Sequence, residues 1–228
     1  MQKSEIRFVP AQPKEGQEEY QDSLEKNIIT ICTGYAGTGK TFLAISQALR
    51  MMFNAPKRGG IQRIVIVRPY MQTNIGEKLG ALPGTVDEKV TPYVLGIKDN
   101  LRQLFANDQD IDNVIRNKFE FTVLSLCRGR SFNNCFVIVE EAQNVPIDGD
   151  AMKMLLTRIG NHSRLVIAGD MDQCDIDPAN SALVEAVNIL HNMDDVGVVS
   201  MENLDTVQRS PIVRNILERY EDYRRKGF

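Results

Sequence analysis

Residues 34 to 41 read Gly34-Tyr35-Ala36-Gly37-Thr38-Gly39-Lys40-Thr41, which fits the spacing G-x-x-x-x-G-K-[ST]. Each residue type there has a task in holding a polyphosphate. Glycines let backbone N–H groups turn inward around phosphate oxygens, where a side chain would collide. A helix opening at Lys40 would point its positive dipole end at the same anion. Lys40 would reach the β- and γ-phosphates of a nucleoside triphosphate as a point charge, and the Thr41 hydroxyl would hold Mg2+. Gly34, Ala36, Gly37, Thr38, Gly39, Lys40 and Thr41 are therefore the candidate cradle. About a hundred residues later the apolar run Phe136 to Val139 leads into Glu140-Glu141-Ala142-Gln143-Asn144. Two acids after a buried strand sit where open α/β sheets bind ligands. Glu140 is assigned to the metal and Glu141 to taking a proton from an attacking water. A third strand end, Gly169-Asp170-Met171-Asp172-Gln173, offers Gln173, a neutral donor and acceptor suited to orienting that water or sensing the γ-phosphate.

Chemistry at these spacings needs strands that end together and helices that start there. The sequence predicts strands over Ile28 to Thr33, Arg63 to Val67, Phe119 to Ser125, Phe136 to Val139, Leu165 to Ala168 and Val196 to Ser200. Helices are predicted over Lys40 to Phe53, Asp150 to Ile159, Ala179 to His191 and Ile212 to Tyr223, with a short one starting near Gly16 or Gln17. Runs such as Ile64-Val65-Ile66-Val67 are apolar on both faces, as a mostly parallel sheet with helices on both sides requires. Tyr70 to Lys118 has no strong strand signal and reads as a helical insertion. Residues 1 to 26, polar and broken by Pro10 and Pro13, read as a lead-in segment, and 27 to 228 as one α/β domain.

Composition narrows the class. The chain has 228 residues, 27 Lys plus Arg and 30 Asp plus Glu, a formal charge of −3. That balance argues against coating nucleic acid by charge alone, since non-specific affinity comes largely from phosphate neutralisation; a local basic groove stays open. No apolar run approaches the ~20 residues that span a bilayer, and the start lacks an apolar signal core, so a cytoplasmic location with no membrane partner is expected. Cys32, Cys127, Cys135 and Cys174 form no C-x-x-C pair and read as reduced thiols, mostly buried.

The cradle, together with Arg68-Pro69, Gly76-Glu-Lys-Leu-Gly80, Leu82-Pro-Gly84, Glu88-Lys89, Pro92-Tyr93, Arg128-Gly-Arg130, Glu141-Ala-Gln-Asn144, Met152-Lys-Met154, Leu156-Thr-Arg158-Ile-Gly160 and Gly169-Asp170 with Gln173, resembles the PhoH-like family of P-loop ATPases. That family is in turn similar to the ATPase core of superfamily 1 helicases. The resemblance runs from about Gln17 to Tyr220. It implies a RecA-like P-loop fold, binding and hydrolysis of ATP with Mg2+, and action on RNA or single-stranded DNA. It also implies that Gln17 stands where related helicases read adenine, against the alternative of an exposed first helical turn. Arg68 resembles a position near the nucleic-acid path, or is a structural arginine at a strand end.

Three departures from the family pattern bear on activity. Glu140 stands where the family has Asp, and the extra methylene perturbs the near-ideal octahedral shell Mg2+ demands, so slow hydrolysis is one expectation. The link from Arg68 to Gly76 is longer than usual, and Asp205-Thr-Val-Gln208-Arg209 matches the family only loosely. Hydrolysis also calls for a further cation, for which Arg158 and Arg209 are the candidates, with Arg130 behind them. One lobe cannot close around a nucleotide as two do, so a homo-oligomer is expected, a ring with a hexamer among its closures. Three readings stay open: an ATPase or helicase acting on nucleic acid, an ATP-gated binding module with slow turnover, and a P-loop kinase.

Overall fold

The structure, a computed structural model, describes residues 8–54, 60–69, 86–203, 206–208 and 210–225. Chain order is α1 (Glu18–Lys26), β1 (Ile29–Gly34), α2 (Lys40–Asn54), β2 (Arg63–Arg68), α3 (Val86–Leu101), α4 (Asp108–Lys118), β3 (Phe119–Val123), β4 (Cys135–Val139), α5 (Ala151–Leu156), β5 (Arg164–Gly169), α6 (Ala182–Leu190), β6 (Val196–Met201) and α7 (Pro211–Arg225). The six strands form one sheet in the order β3-β2-β4-β5-β1-β6, with every pairing parallel. This is the α/β architecture expected for a P-loop core.

Period-two alternation in strands that are apolar throughout sends neighbours to opposite faces. Ile64, Ile66, Phe136, Ile138 and Val166 pack with α1, α2, α3 and α4 on one side, where Leu43, Leu49, Leu101 and Val114 are buried. Val65, Val67, Val137, Val139, Leu165 and Ile167 pack with α5 and α6 on the other, against Leu155 and Leu183. Each fully buried side chain of this size contributes roughly 1.5–3 kcal/mol relative to leaving it in water. Local signals finish the elements. In α4 the Asn107 side chain accepts from Asp110 N, with acids in the first turn and Arg116 and Lys118 in the last.

Three elements stop two or three residues short of the sequence expectation. The strand predicted to reach Ser125 stops at Val123, where Leu124–Cys127 coils into a 3-10 turn. The helix predicted over Asp150 to Ile159 ends at Leu156, because Phe132 N donates to Arg158 O and Gly160 N to Phe132 O, drawing the chain into a strand-like bridge. The helix predicted from Ala179 starts at Ala182, since Pro178–Asn180 makes its own 3-10 turn capped by Asp177. α3 and α4 supply the predicted helical insertion, whose residues 70–85 lie outside the described residues.

The four cysteines are free thiols, three of them buried. Burial pushes the Cys32 thiol up to about 12 and the Cys127 thiol up to about 11, so both stay protonated and inert at neutral pH. Among the described residues no helix is long and apolar enough to cross a membrane.

Candidate active site

Parallel register levels the strand ends. Thr33 pairs with Gly169, and Val139 pairs with both Ile167 and Val67. The segments that follow β1, β5 and β4 therefore leave the sheet side by side at its C-terminal edge. Because β5 lies between β1 and β4, the phosphate loop and the acids stand two strand spacings apart, roughly 10 Å. Between them opens a crevice of about 360 Å³ lined by Ala36, Gly37, Gly39, Lys40, Thr41, Glu140, Glu141, Asp170 and Gln173, with Asn100 of α3 at its side. That volume lies within the range of ligand pockets.

The loop is held from behind by α1. Gln17 Nε2 donates to Thr38 O at 2.7 Å, Lys14 N donates to Gln17 Oε1 at 2.9 Å, and Tyr20 Oη donates to Lys40 O at 3.1 Å. Two glycines make this closeness feasible. A Cβ on Gly39, whose φ is +92°, would meet Gln17 Nε2 at 2.8 Å, and one on Gly34 would meet Met201 O of β6 at 2.7 Å. Lys40 Nζ bends back to donate to Gly34 O at 2.6 Å and Tyr35 O at 2.8 Å. The ammonium thus sits inside the arc of the loop.

At the end of β4, Glu140 is 5% exposed and Arg68 Nε donates to its Oε2 at 2.9 Å. Glu141 follows with φ 53° and ψ 37°. This left-handed turn, costing a non-glycine residue about 1–2 kcal/mol, re-aims the chain into the 3-10 turn Ala142–Asn144. Gln143, fully buried, then ties two strand ends together. Its Nε2 donates to Glu141 Oε2 at 2.9 Å and to Gln173 O at 3.3 Å, and its Oε1 accepts from Asp170 N at 3.1 Å. Asp170 accepts in turn from the N–H groups of Asp172 and Ala36, reaching the phosphate loop. Burial pushes the Asp170 carboxyl above its ordinary range, against the pull of Lys40 and those two N–H groups.

The charge balance of the crevice decides what fits it. Glu140, Glu141 and Asp170 face Lys40 among the described lining residues, with Glu140 already paired to Arg68. Three carboxyl groups against two cations favour a polyphosphate carrying a divalent cation over a bare one. The hydroxyl of Thr41 and the carboxylate of Glu140 are hard oxygen donors of the kind Mg2+ takes alongside substrate phosphates and water. The residues fit a magnesium-bound polyphosphate.

The family of PhoH-like proteins matches residues 11–221. The chain belongs to the PhoH-like family. PhoH-like proteins of Mycobacterium leprae and Bacillus subtilis are each 36% identical to it, over 208 and 207 residues, covering 91% and 90% of this chain and 57% and 62% of theirs. Protein PhoH of Escherichia coli strain K12 is 34% identical over 211 residues, 90% of this chain and 56% of its own. The chain spans little more than half the length of these relatives. Among solved structures, the Pyrococcus furiosus Hef helicase domain aligns with 89% of this chain and 40% of its own at a TM-score of 0.47 and 16% identity. The Pif1 helicase of Candida albicans aligns over 86% and 41% at a TM-score of 0.37 and 14% identity. Likeness this distant says nothing of chemistry, and the fold assignment rests on strand order and the loop.

Of the residues taken from the PhoH-like resemblance, the structure brings some together and not others. Gln17 lies behind the loop, 3% exposed with both amide groups engaged, and is no exposed first turn. Arg68 pairs with Glu140 across the ends of β2 and β4. Arg158 sits at the opposite edge of the sheet, beside Phe132 ahead of β4, so within one chain it does not reach the crevice; its Nε is buried without a partner. Arg130 pairs with Glu120 at 2.5 Å and lies over the Phe132 ring. Arg209 lies outside the described residues. Sequence reasoning gave no role to Gln143, Asp170 or Tyr20. For Gln143 and Asp170 the signal was a polar residue at a fixed offset in its motif, meaningful only once β4 is known to lie beside β5; Tyr20 lies in no motif and gave none.

Proposed function

We propose that the crevice binds Mg·ATP and hydrolyses it, and that the energy serves work on RNA or single-stranded DNA. The observation that carries this reading is the placement of Lys40 and Thr41 opposite Glu140, Glu141 and Gln173, with β5 setting the gap. Lys40 leaves the Gly34 and Tyr35 carbonyls for phosphate oxygens. Thr41 and Glu140 would hold the metal, with Arg68 fixing one Glu140 oxygen. When bound, the metal would supply charge neutralisation at the phosphates. Glu141 takes the proton of a water at Oε1, since its Oε2 is engaged by Gln143, and Gln173 orients that water. The second wall of the crevice comes from another copy of the chain.

Calorimetry with Mg·ATP, and phosphate release with and without oligonucleotide, test this. Lys40→Ala is expected to weaken Mg·ATP binding at least about a hundredfold, the loss of a charged phosphate contact in a site of low dielectric. Glu141→Gln is expected to keep binding within a few-fold while turnover drops about 10²–10⁴-fold, as for loss of a general base. A parent chain with no affinity for Mg·ATP sinks the reading. A slower, switch-like variant of it is favoured by the Glu140–Arg68 ion pair, because a carboxylate already paired is a poorer metal ligand. In that case nucleic-acid binding responds to ATP and survives Glu141→Gln.

A further inference from the structure

The proposed hydrolysis leaves two side chains in the crevice without a task, Phe42 and Asn100. Phe42 follows Thr41 in the first turn of α2 and is half-buried against the apolar core. No other aromatic ring lines the crevice among the described residues. Asn100 comes from the last turn of α3, in the insertion between β2 and β3. Its neighbours on that turn are all engaged. Ile97 and Leu101 are buried in the core. Lys98 pairs with Asp112 at 2.7 Å, and Asp99 with Arg102 at 2.6 Å. The Asn100 amide is half-buried and has no hydrogen-bond partner among the described residues. Gln17 differs: it commits both amide groups to Lys14 and Thr38 behind the loop and has none left for a base.

We propose that Asn100 selects adenine as the base of the bound nucleotide, with the purine lying against Phe42. The inference rests on the Mg·ATP site proposed above and supplies its base specificity. Three described lining side chains can both donate and accept, and two of them, Thr41 and Gln173, are assigned to the metal and the water. Asn100 is the third. A carboxamide carries a donor beside an acceptor, and adenine presents the complement along the edge that holds its N6 amino group and N7. The Asn100 oxygen accepts from the amino group, and its nitrogen donates to N7. Guanine offers two acceptors on that edge, so the Asn100 oxygen would face another oxygen. Contact with an aromatic face is tolerant of base identity, so Phe42 adds affinity while Asn100 adds choice.

The test uses the full chain with Mg2+ and calorimetry. The ligands are ATP, GTP, 7-deaza-ATP, which lacks N7, and inorganic tripolyphosphate, which lacks a base. The parent is expected to bind ATP about tenfold tighter than GTP or 7-deaza-ATP, within the range of a matched two-bond base contact. Asn100→Leu is expected to bind the three nucleotides alike, at the parent's 7-deaza-ATP level, with tripolyphosphate affinity unchanged. Asn100→Asp, which keeps the size and removes the donor, should likewise bring ATP and 7-deaza-ATP together. Phe42→Leu is expected to weaken the three nucleotides alike, by about fivefold or more, and to leave tripolyphosphate as it was. Melting temperatures at the parent's value show that the variants fold. A parent that binds ATP, GTP and 7-deaza-ATP equally overturns the proposal, as does an ATP preference that survives Asn100→Leu. Loss of tripolyphosphate together with ATP in Asn100→Leu reduces the residue to a structural part and overturns it too. A parent that binds tripolyphosphate as tightly as ATP makes no base contact: the base site falls and the phosphate cradle stands. A parent that binds neither overturns the Mg·ATP site, and the base site with it.

Discussion

Gln143 commits its whole side-chain amide to holding Glu141, Asp170 and Gln173 in one arrangement. Gln143→Leu keeps the bulk and strands the Asp170 N–H in a buried place, so a stability loss of about 2 kcal/mol is expected from chemical denaturation. Turnover is expected to fall about tenfold with little change in KM for Mg·ATP, because the base would lose its orientation and the phosphate contacts would not. Lost stability with full turnover would reduce Gln143 to a brace. Asp170 predicts a pH effect whose sign follows from its raised carboxyl. The folded state holds that proton to a higher pH than the unfolded chain does, so the group's ionisation costs stability as pH rises from the unfolded value of about 3.9 through the raised one. Asp170→Asn is therefore expected to be more stable than the parent at neutral pH, and the difference should vanish in acid. Thermal melts at pH 3.5 and 7.5 check this.

At the scale of elements, α1 and the residue that precedes it serve as the back plate of the phosphate loop, through Tyr20 and Gln17. Gln17→Ala removes one buried and one partly buried hydrogen bond and is expected to cost about 1–3 kcal/mol. It also separates two roles. A glutamine that reads adenine makes ATP lose affinity while GTP does not; a brace makes both lose it together, and the two engaged amide groups favour the brace. The strands were legible in the sequence, because both-face apolar runs such as Phe136 to Val139 admit few other readings. The loop and the two acids were equally plain. What local pattern could not supply was adjacency: the Gln143 hub needs β4 beside β5, and the distance of Arg158 from the crevice needs to be known which edge of the sheet its turn occupies. Helix ends at Leu156 and Ala182 were missed for a related reason, since a bridge to Phe132 and a proline-led turn outweigh apolar periodicity.

For the molecule as a whole, the crevice opens at the C-terminal edge of the sheet, between the phosphate loop and the ends of β4 and β5. α7 borders it, with Leu217 and Tyr220 lining a small hollow beside Tyr35, Asp170 and Gln173. Ile212, Ile216, Tyr220 and Tyr223 are exposed at spacings of four, four and three, a continuous apolar stripe of the sort that marks an interaction surface. A second copy seated there would stand beside the crevice, next to Tyr35, Asp170 and Gln173. Sizing at working concentration is expected to show a species larger than the 25.7 kDa chain, and Tyr220→Asp to return it to monomer with ATPase reduced about tenfold or more. A strict monomer with full ATPase activity would refute the shared site.

The bend of Lys40 onto Gly34 and Tyr35 has a bearing on how the loop responds to a ligand. If the cradle takes phosphate as proposed, the ammonium exchanges two neutral carbonyl acceptors for charged oxygens, and hydrogen bonds to ionised acceptors are the stronger kind, so the exchange favours the anion. Release of Lys40 would then leave the Gly34 and Tyr35 carbonyls to water, an ordering of the loop that nucleotide occupancy alone would set.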